Sequence, residues 1–400
     1  MKELKDIRAS IDALDSRIAA LLAERLELAD AVAEAKRASG GPVNDPVRER
    51  EILTRLSSEV GPRCGRDVRT VYSTLFGVSK ARQRQQLMGG TPLDREIDAA
   101  IARGAAELGL AMVASCGAEG SYSQQAASRM FEVPTILYFN SFEKVFEAVE
   151  SGVCPYGVLP VENSSVGSVA AVYDLMQKHR FHIVRGMKLR IRHVLLGNPG
   201  ASVDRLAEVS SHSHALSQCG AFLKSHPSLK AVPETNTAVA ARELAASGRT
   251  DRAVIASRAC AELYGLQVLA DDVSDASDNY TRFICIAREL SVSERANKLG
   301  VMLSLPHRPG SLCEVISKFA AVGVNLTKLE SRPVAGSPFE FRFVFEFEAS
   351  AKSPDVRALL SELSTDPEID HFAFLGAYEE SWAVSICSYS VGQDRDSGVD

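Results

Sequence analysis

The sequence has no run of about 18 apolar residues, the length a bilayer-spanning helix needs. Its opening, "MKELKDIRAS", lacks the apolar core of a secretory signal. The eight cysteines are scattered and form no C-x-x-C pair. They read as reduced, mostly buried thiols of a cytoplasmic protein, and no metal or cofactor is expected. "SHSH" (211–214) holds the most closely spaced histidine pair, and such pairs are more often structural than metal-binding. With a net charge of −6 and a pI near 5.9, the chain shows no basic stripe for nucleic acid and no basic helix-turn-helix. No G-x-G-x-x-G follows a strand pattern, which argues against a dinucleotide-dependent dehydrogenase. Membranes and nucleic acids are therefore not expected partners.

What is present falls into segments of different period. Four hundred residues allow two to four domains. Residues 2–38 contain no glycine or proline, and Ile7, Ile11, Leu14, Ile18, Leu21, Leu22, Leu28 and Val32 recur at helical spacing. Such a helix is ~55 Å long, more than a small domain covers alone, so a homodimer or higher homo-oligomer is expected. "SGGP" (39–42) ends it. "NDPVRERE" (44–51) starts a second helix, with Asp45 as N-cap and Pro46 at the first helical position. A third runs from about Asp67 to Leu87, and the all-α domain spans 1–89. A linker with a connecting helix over 93–108 fills 90–109.

From Leu110 short apolar runs alternate with helices. Strands are expected at 111–115, 135–139, 156–161, 190–196, 208–211, 252–256 and 281–287, giving an α/β domain over 110–288 with a mostly parallel sheet. Five polar clusters follow strands: "GAEGSYS" (117–123), "ENSS" (162–165), "SHSH", "ETNT" (234–237) and "NYTRF" (279–283). Ligands of open α/β sheets bind at strand carboxyl ends, so five clusters on one unit point to a cleft. After a polar linker (289–298), residues 299–380 read strand, helix, strand, strand, helix, strand, an α+β ferredoxin-like unit. The remainder, 381–400, is a polar tail expected to be disordered.

The long helix also carries Arg8, Arg25 and Lys36. Eleven residues, about three turns, separate the last two, which share a face ~16 Å apart and can converge on one small anion. Arg8 lies ~26 Å from Arg25 along the axis and reaches such a ligand only from the other chain of an antiparallel dimer. Asp45, Arg48 and Glu49 open the second helix, and Ser79 and Gln83 are one turn apart on the third. Taken singly, each of these is as readily a solvated helical face.

Together, R-x16-R-x10-K-x8-D-x2-R-E followed by S-x3-Q resembles the all-helical class of chorismate mutase. "LPVENSSVG" (159–167) and "NYTRF" resemble prephenate dehydratase, a two-lobed periplasmic-binding-like fold. "GSL" (310–312) and "LESRP" (329–333) resemble the phenylalanine-binding ACT domain. The order is that of the bifunctional chorismate mutase–prephenate dehydratases. The resemblance implies chorismate and prephenate as substrates and L-phenylalanine as effector. It implies that Arg25 and the partner's Arg8 hold carboxylates and that Lys36 and Gln83 donate to the ether oxygen. Glu49 and the backbone near Asp45 take the ring hydroxyl, Arg48 orients Asp45 or Glu49, and Ser79 completes the set.

In the dehydratase segment the resemblance makes Thr281 the residue that protonates the leaving hydroxyl, through a hydrogen-bond network. Asn163, Ser164 and Ser165 hold the substrate, Glu162 orients the network, Arg282 holds position or charge at the substrate, and Ser211, His212, Thr237 and Phe283 complete the cleft. The effector is expected at the turn of Gly310, Ser311 and Leu312, with Glu330, Ser331 and Arg332 on the neighbouring strand. Two departures from the family pattern stand out: Gly117-Ala118-Glu119-Gly120 where G-P-x-G is usual, and Ser211-His212-Ser213-His214 where S-H-P-Q is usual. A non-catalytic metabolite sensor, or a mutase with a weakened dehydratase half, are the alternatives.

Overall fold

The structure, a computed structural model, describes residues 3–88, 90–106, 108–334 and 340–383. The expected tail lies outside these residues. Two compact units result. One joins the chain up to Ala102 with Leu299–Phe374; the other joins Arg103–Lys298 with the chain from Leu375 on. The division does not follow the expected segments one for one, because the last strand passes from the first unit into the second.

The N-terminal segment is helical. α1 (Leu4–Ser39) ends at Gly40, whose φ of 70° closes the helix. α2 (Pro46–Glu59) starts as its sequence dictates, with the Asp45 carboxylate accepting from the Arg48 N–H at 3.0 Å and Pro46 in the first turn. α3 (Gly61–Met88) begins one and a half turns earlier than expected, and α4 (Pro92–Arg103) stops short of residue 108 because Gly104 takes φ 86°. Residues 4–24 of α1 are exposed throughout, including the apolar stripe from Ile7 to Leu22. Each such side chain gains about 1.5–3 kcal/mol when fully covered, so the chain alone leaves this stripe unsatisfied.

The second unit has two lobes. β1 (Leu110–Cys116), α5 (Tyr122–Met130), β2 (Val133–Phe139), α6 (Phe142–Glu150), β3 (Tyr156–Asn163), β4 (Gly167–Ser168), α7 (Ala170–His179) and β5 (His182–Arg190) form the first. The chain then crosses into β6 (Val194–Gly197), β7 (Glu208–His212), α8 (Ser213–Ser217), α9 (Gly220–Ser225), β8 (Lys230–Glu234), α10 (Thr237–Ser247), β9 (Arg252–Ala256), α11 (Ala259–Tyr264) and β10 (Gln267–Ala270). β11 (Tyr280–Ala287) returns to the first lobe between β5 and β3. The expected mostly parallel sheet is divided between the two lobes, and each part carries one reversed strand. β1, β2 and β3 are parallel, but β11 runs antiparallel to both neighbours; β7, β8 and β9 are parallel, but β6 runs antiparallel to both of its neighbours, β9 and β10. Two crossings of the chain between lobes impose this, since a returning strand enters its sheet from the opposite end.

The C-terminal segment is ferredoxin-like: β12 (Lys298–Ser304), α12 (Ser311–Val322), β13 (Asn325–Pro333), β14 (Phe341–Glu348), α13 (Pro354–Thr365) and β15 (Asp370–Trp382), with strand order β13-β14-β12-β15. Phe319 of α12 stacks on Phe345 and meets Phe347 edge-on to seal its core. In the second unit, β15 continues through Glu379–Trp382 in parallel pairing with Arg185–Lys188 of β5. Among the described residues, no helix is long and apolar enough to cross a membrane, and the seven cysteines are unpaired.

Candidate active sites

The first site lies between α1 and α3. Arg25 Nη1 donates to Ser79 Oγ at 2.8 Å, and its guanidinium lies over the Phe76 ring. Three turns along, Lys36 Nζ donates to Gln83 Oε1 at 3.3 Å and to the Val43 carbonyl at 2.9 Å. The two basic side chains thus stand on successive rungs against Ser79 and Gln83, both buried. With its Oε1 occupied by Lys36, Gln83 keeps its amide N–H groups for an acceptor in the gap. Glu49 pairs with Lys80 at 3.1 Å, a partner the sequence reading passed over. Asp45 is committed to its N-cap role. Arg48 neither orients Asp45 with its side chain nor reaches Glu49: its guanidinium pairs with Glu51 at 3.2 Å on the exposed face. Arg8 lies on the exposed part of α1, as its distance from Arg25 requires.

The second site lies where the two lobes of the α/β unit meet. Asn163, at the end of β3, stands opposite Thr281 at the start of β11. Its Nδ2 donates to Thr281 Oγ1 at 2.9 Å, to Asn279 Oδ1 at 2.8 Å and to the Tyr280 carbonyl at 3.2 Å. Its Oδ1 accepts from the N–H groups of Ser165 and Val166, which fixes the turn, and from Gln218 Nε2 at 3.3 Å. Gln218 Oε1 in turn accepts from Asn279 Nδ2 at 3.0 Å and lies 3.1 Å from His193 Nε2. Burial holds the His193 imidazole below its usual pKa, partly opposed by the Gln218 hydrogen bond, so His193 is neutral at pH 7. Gln218 and His193 were not singled out by sequence, and Asn279 opens the NYTRF cluster without having been given a role. Gln218 stands one turn beyond His214, the only local signal that could have found it.

Several expected substrate contacts point elsewhere. Ser211 is fully buried and donates to the Ile255 carbonyl, and Phe283 belongs to the first lobe's core. Ser164 Oγ bonds the Asp278 carbonyl at 3.2 Å and accepts from the Tyr280 N–H at 3.0 Å, which commits it to the loop. Successive strand residues face opposite sides, so Glu162 and Arg282 lie across the sheet from Asn163 and Thr281. Glu162 faces Arg282 at 3.8 Å rather than the Asn163 network, and Arg282 is almost fully buried. His212 is half-buried, its Nδ1 accepting from the His214 N–H; Thr237 opens α10 beside its Asn236 cap. His214 itself is exposed, and Ala118 packs into the second lobe's core beside Val254 and Ala256.

The expected effector residues also redistribute. Gly310 (φ 93°) caps α12, where an L side chain is strained, and Ser311 Oγ donates back to the Arg308 carbonyl. Leu312 is half-buried in the first turn. The strand carrying Glu330, Ser331 and Arg332 is not the neighbour of β12: β14 lies between them, because the first crossover of this fold skips a strand position. Glu330 pairs with Lys328 at 3.2 Å and Arg332 at 3.7 Å, and Ser331 is exposed on this edge.

The chorismate mutase type II family model matches residues 7–84, and the prephenate dehydratase model matches residues 113–291. The bifunctional chorismate mutase/prephenate dehydratase of Escherichia coli (strain K12) is 33% identical over 365 residues, 89% of this chain and 92% of that protein. The chain belongs to the bifunctional chorismate mutase/prephenate dehydratase family. Both catalytic domains of the family are present, one in each compact unit. Arogenate dehydratase/prephenate dehydratase 2 of Arabidopsis thaliana is 38% identical over 249 residues; the match spans 60% of this chain and 65% of that protein. Among solved structures, prephenate dehydratase of Arthrobacter aurescens in complex with L-Phe is 29% identical with a TM-score of 0.61, covering 67% of this chain and 89% of that one. GqqA, a quorum-quenching acylase, gives the same identity and TM-score over 68% of this chain and 98% of its own. The α/β fold thus hosts unlike chemistries, and the assignment rests on the two family domains together.

Proposed function

We propose that this chain converts chorismate to prephenate at the α1–α3 site and prephenate to phenylpyruvate at the Asn163–Thr281 site, in the cytoplasm, under feedback by L-phenylalanine. What carries this reading is that each compact unit holds its own polar constellation, of the kind its reaction needs. The first reaction is an intramolecular rearrangement and needs no nucleophile or proton transfer. Catalysis comes from holding a compact conformer and stabilising charge on the ether oxygen. Arg25 binds a carboxylate, and Lys36 and Gln83 donate to the oxygen. Glu49 takes the ring hydroxyl. The second reaction loses carbon dioxide and hydroxide, and aromatisation drives it. Thr281 Oγ1 accepts from Asn163, so its own proton is free for the departing hydroxyl. Purified protein given chorismate alone should accumulate phenylpyruvate. Prephenate accumulating without phenylpyruvate would leave only the mutase, and no turnover would favour a sensor.

The exposed stripe of α1 supports an antiparallel dimer in which each mutase site takes Arg8 from the partner. Arg8→Ala and Lys36→Ala should then complement one another. A mixed dimer holds one site with both residues intact, so co-refolding should restore up to about half of the wild-type rate per such dimer. Verified heterodimers without activity would remove Arg8 from the partner's site.

The ferredoxin-like unit is read as an ACT domain. The L-Phe complex of the Arthrobacter relative supports this, as do the free helix N-terminus at Gly310 and the exposed edge carrying Glu330. With β14 between the two segments, the effector is read as lying between two such domains, one giving the Gly310 turn and the other its edge strand. Inhibition requires tighter phenylalanine binding to a less active state. Gly310→Asp or Glu330→Ala should weaken inhibition about tenfold, as a lost polar contact does, with the uninhibited dehydratase rate unchanged. Unchanged phenylalanine affinity by calorimetry in both variants would refute this placement.

A further inference from the structure

Arg282 follows Thr281 in the chain, yet it is tied to the last strand. Its Nε donates to Glu380 Oε1 and its Nη2 to Tyr378 Oη at 2.8 Å. The other oxygen of Glu380 receives Lys298 Nζ at 2.9 Å and Lys188 Nζ at 3.3 Å. Burial alone would raise the Glu380 carboxyl, but Arg282 and Lys298 outweigh it and hold the pKa at about 2. The group is therefore ionised at any working pH.

The backbone is shaped to permit this contact. Glu380 lies on β15 and Arg282 on β11, with β5 between them. The β5 residue opposite Glu380 is Gly186. A Cβ there would meet Glu380 Cγ and Oε1 at 3.3 Å and the Tyr378 ring at 3.2 Å. The missing side chain is the passage by which the carboxylate crosses β5. On the other side, the pairing of β11 with β3 shifts register between Arg282 and Phe283, one residue beyond Thr281. The extra residue is Val161 of β3, and only Tyr280, Thr281 and Arg282 of β11 lie ahead of the bulge, which re-aims the side chains beside it.

We propose that Glu380 is a positioning residue of the dehydratase: by anchoring Arg282 across the sheet it holds the start of β11, opposite the β3 bulge, and with it the Thr281 hydroxyl, against Asn163. The inference rests on the reading of Thr281 as proton donor. Losing the carboxylate leaves Arg282 and Lys298 buried beside each other without their common counter-ion, and the guanidinium must move. A shift of about 1 Å at the reacting group can lower a rate on the order of 10²-fold while leaving binding largely intact.

The test uses Glu380→Gln, Tyr378→Phe and Thr281→Ala in the full-length protein. For each, kcat and KM for prephenate, the mutase rate on chorismate and the thermal unfolding transition are measured. Glu380→Gln should lower kcat at least about tenfold, with KM within about threefold and the mutase rate unchanged. Tyr378→Phe, which removes only one oxygen, should lower kcat a few-fold in a fully folded protein. Wild-type kcat in Glu380→Gln beside an inactive Thr281→Ala overturns the inference alone. A raised KM at constant kcat also overturns it, since Arg282 would then serve binding. An active Thr281→Ala overturns both readings. If Glu380→Gln does not fold, Tyr378→Phe decides, and wild-type kcat there refutes the proposal.

Discussion

Lys36→Ala is expected to remove mutase activity by a factor of about 10² or more while leaving the dehydration of supplied prephenate within about twofold. The ammonium has three N–H groups. Two are spent on the Val43 carbonyl and Gln83 Oε1, which fix its place, and the third is left for an anionic acceptor in the gap. A donor aimed at charge that develops only in the transition state is worth roughly 3 kcal/mol in a dry site. Alanine removes that donor and frees Gln83 to rotate, so the loss should fall on kcat more than on KM. The dehydratase cleft lies in the other compact unit and shares no residue with this one. Assays of one preparation with chorismate and, separately, with prephenate give both rates. Equal loss of both in a folded variant would sink the reading of two independent sites.

How much of this was legible in the sequence depended on whether the signal was local. Asp45 and Pro46 announce the start of α2 because capping is decided within four residues. Strand β9, with Ala253, Val254, Ile255 and Ala256 in a row, is apolar and reads directly. β5 escaped because His182, Arg185 and Lys188 interrupt its apolar residues every third position, which breaks both the apolar run and the two-residue alternation of a strand. The counter-charges of the last two, Glu379 and Glu380, come from β15, nearly two hundred residues later. The cleft shows the same limit. Asn163 and Thr281 were found through motif resemblance, but single polar residues such as Gln218 and His193 carry no spacing that marks them. Arg282 was misplaced for a reason the sequence did contain: adjacent residues on a strand cannot both face one cleft. Likewise β13 could be read as a strand, but not as an edge, since β14, the strand inserted beside it, follows it in the chain.

Thr281→Ala should lower dehydration by about 10² or more, the usual contribution of a positioned proton donor, with prephenate affinity within a few-fold. The separation is expected because Asn163 has other holds. Without the hydroxyl, its Nδ2 keeps Asn279 Oδ1 and the Tyr280 carbonyl, and its Oδ1 keeps Gln218 and the turn N–H groups. The cleft keeps its shape and loses one proton. Thr281→Ser restores the hydroxyl without the methyl group that limits its rotamers, so it should recover part of kcat and little of any change in KM. Calorimetry with prephenate on the alanine variant, beside steady-state rates for all three proteins, measures both effects. An alanine variant as fast as wild type would move proton delivery to another group, and His212 is the next candidate. Burial, with His214 adding to it, lowers its pKa, and its Nδ1 accepts from the His214 N–H. A neutral imidazole so held carries its proton on Nε2 alone, and His212→Asn, not Thr281→Ala, would then remove the rate.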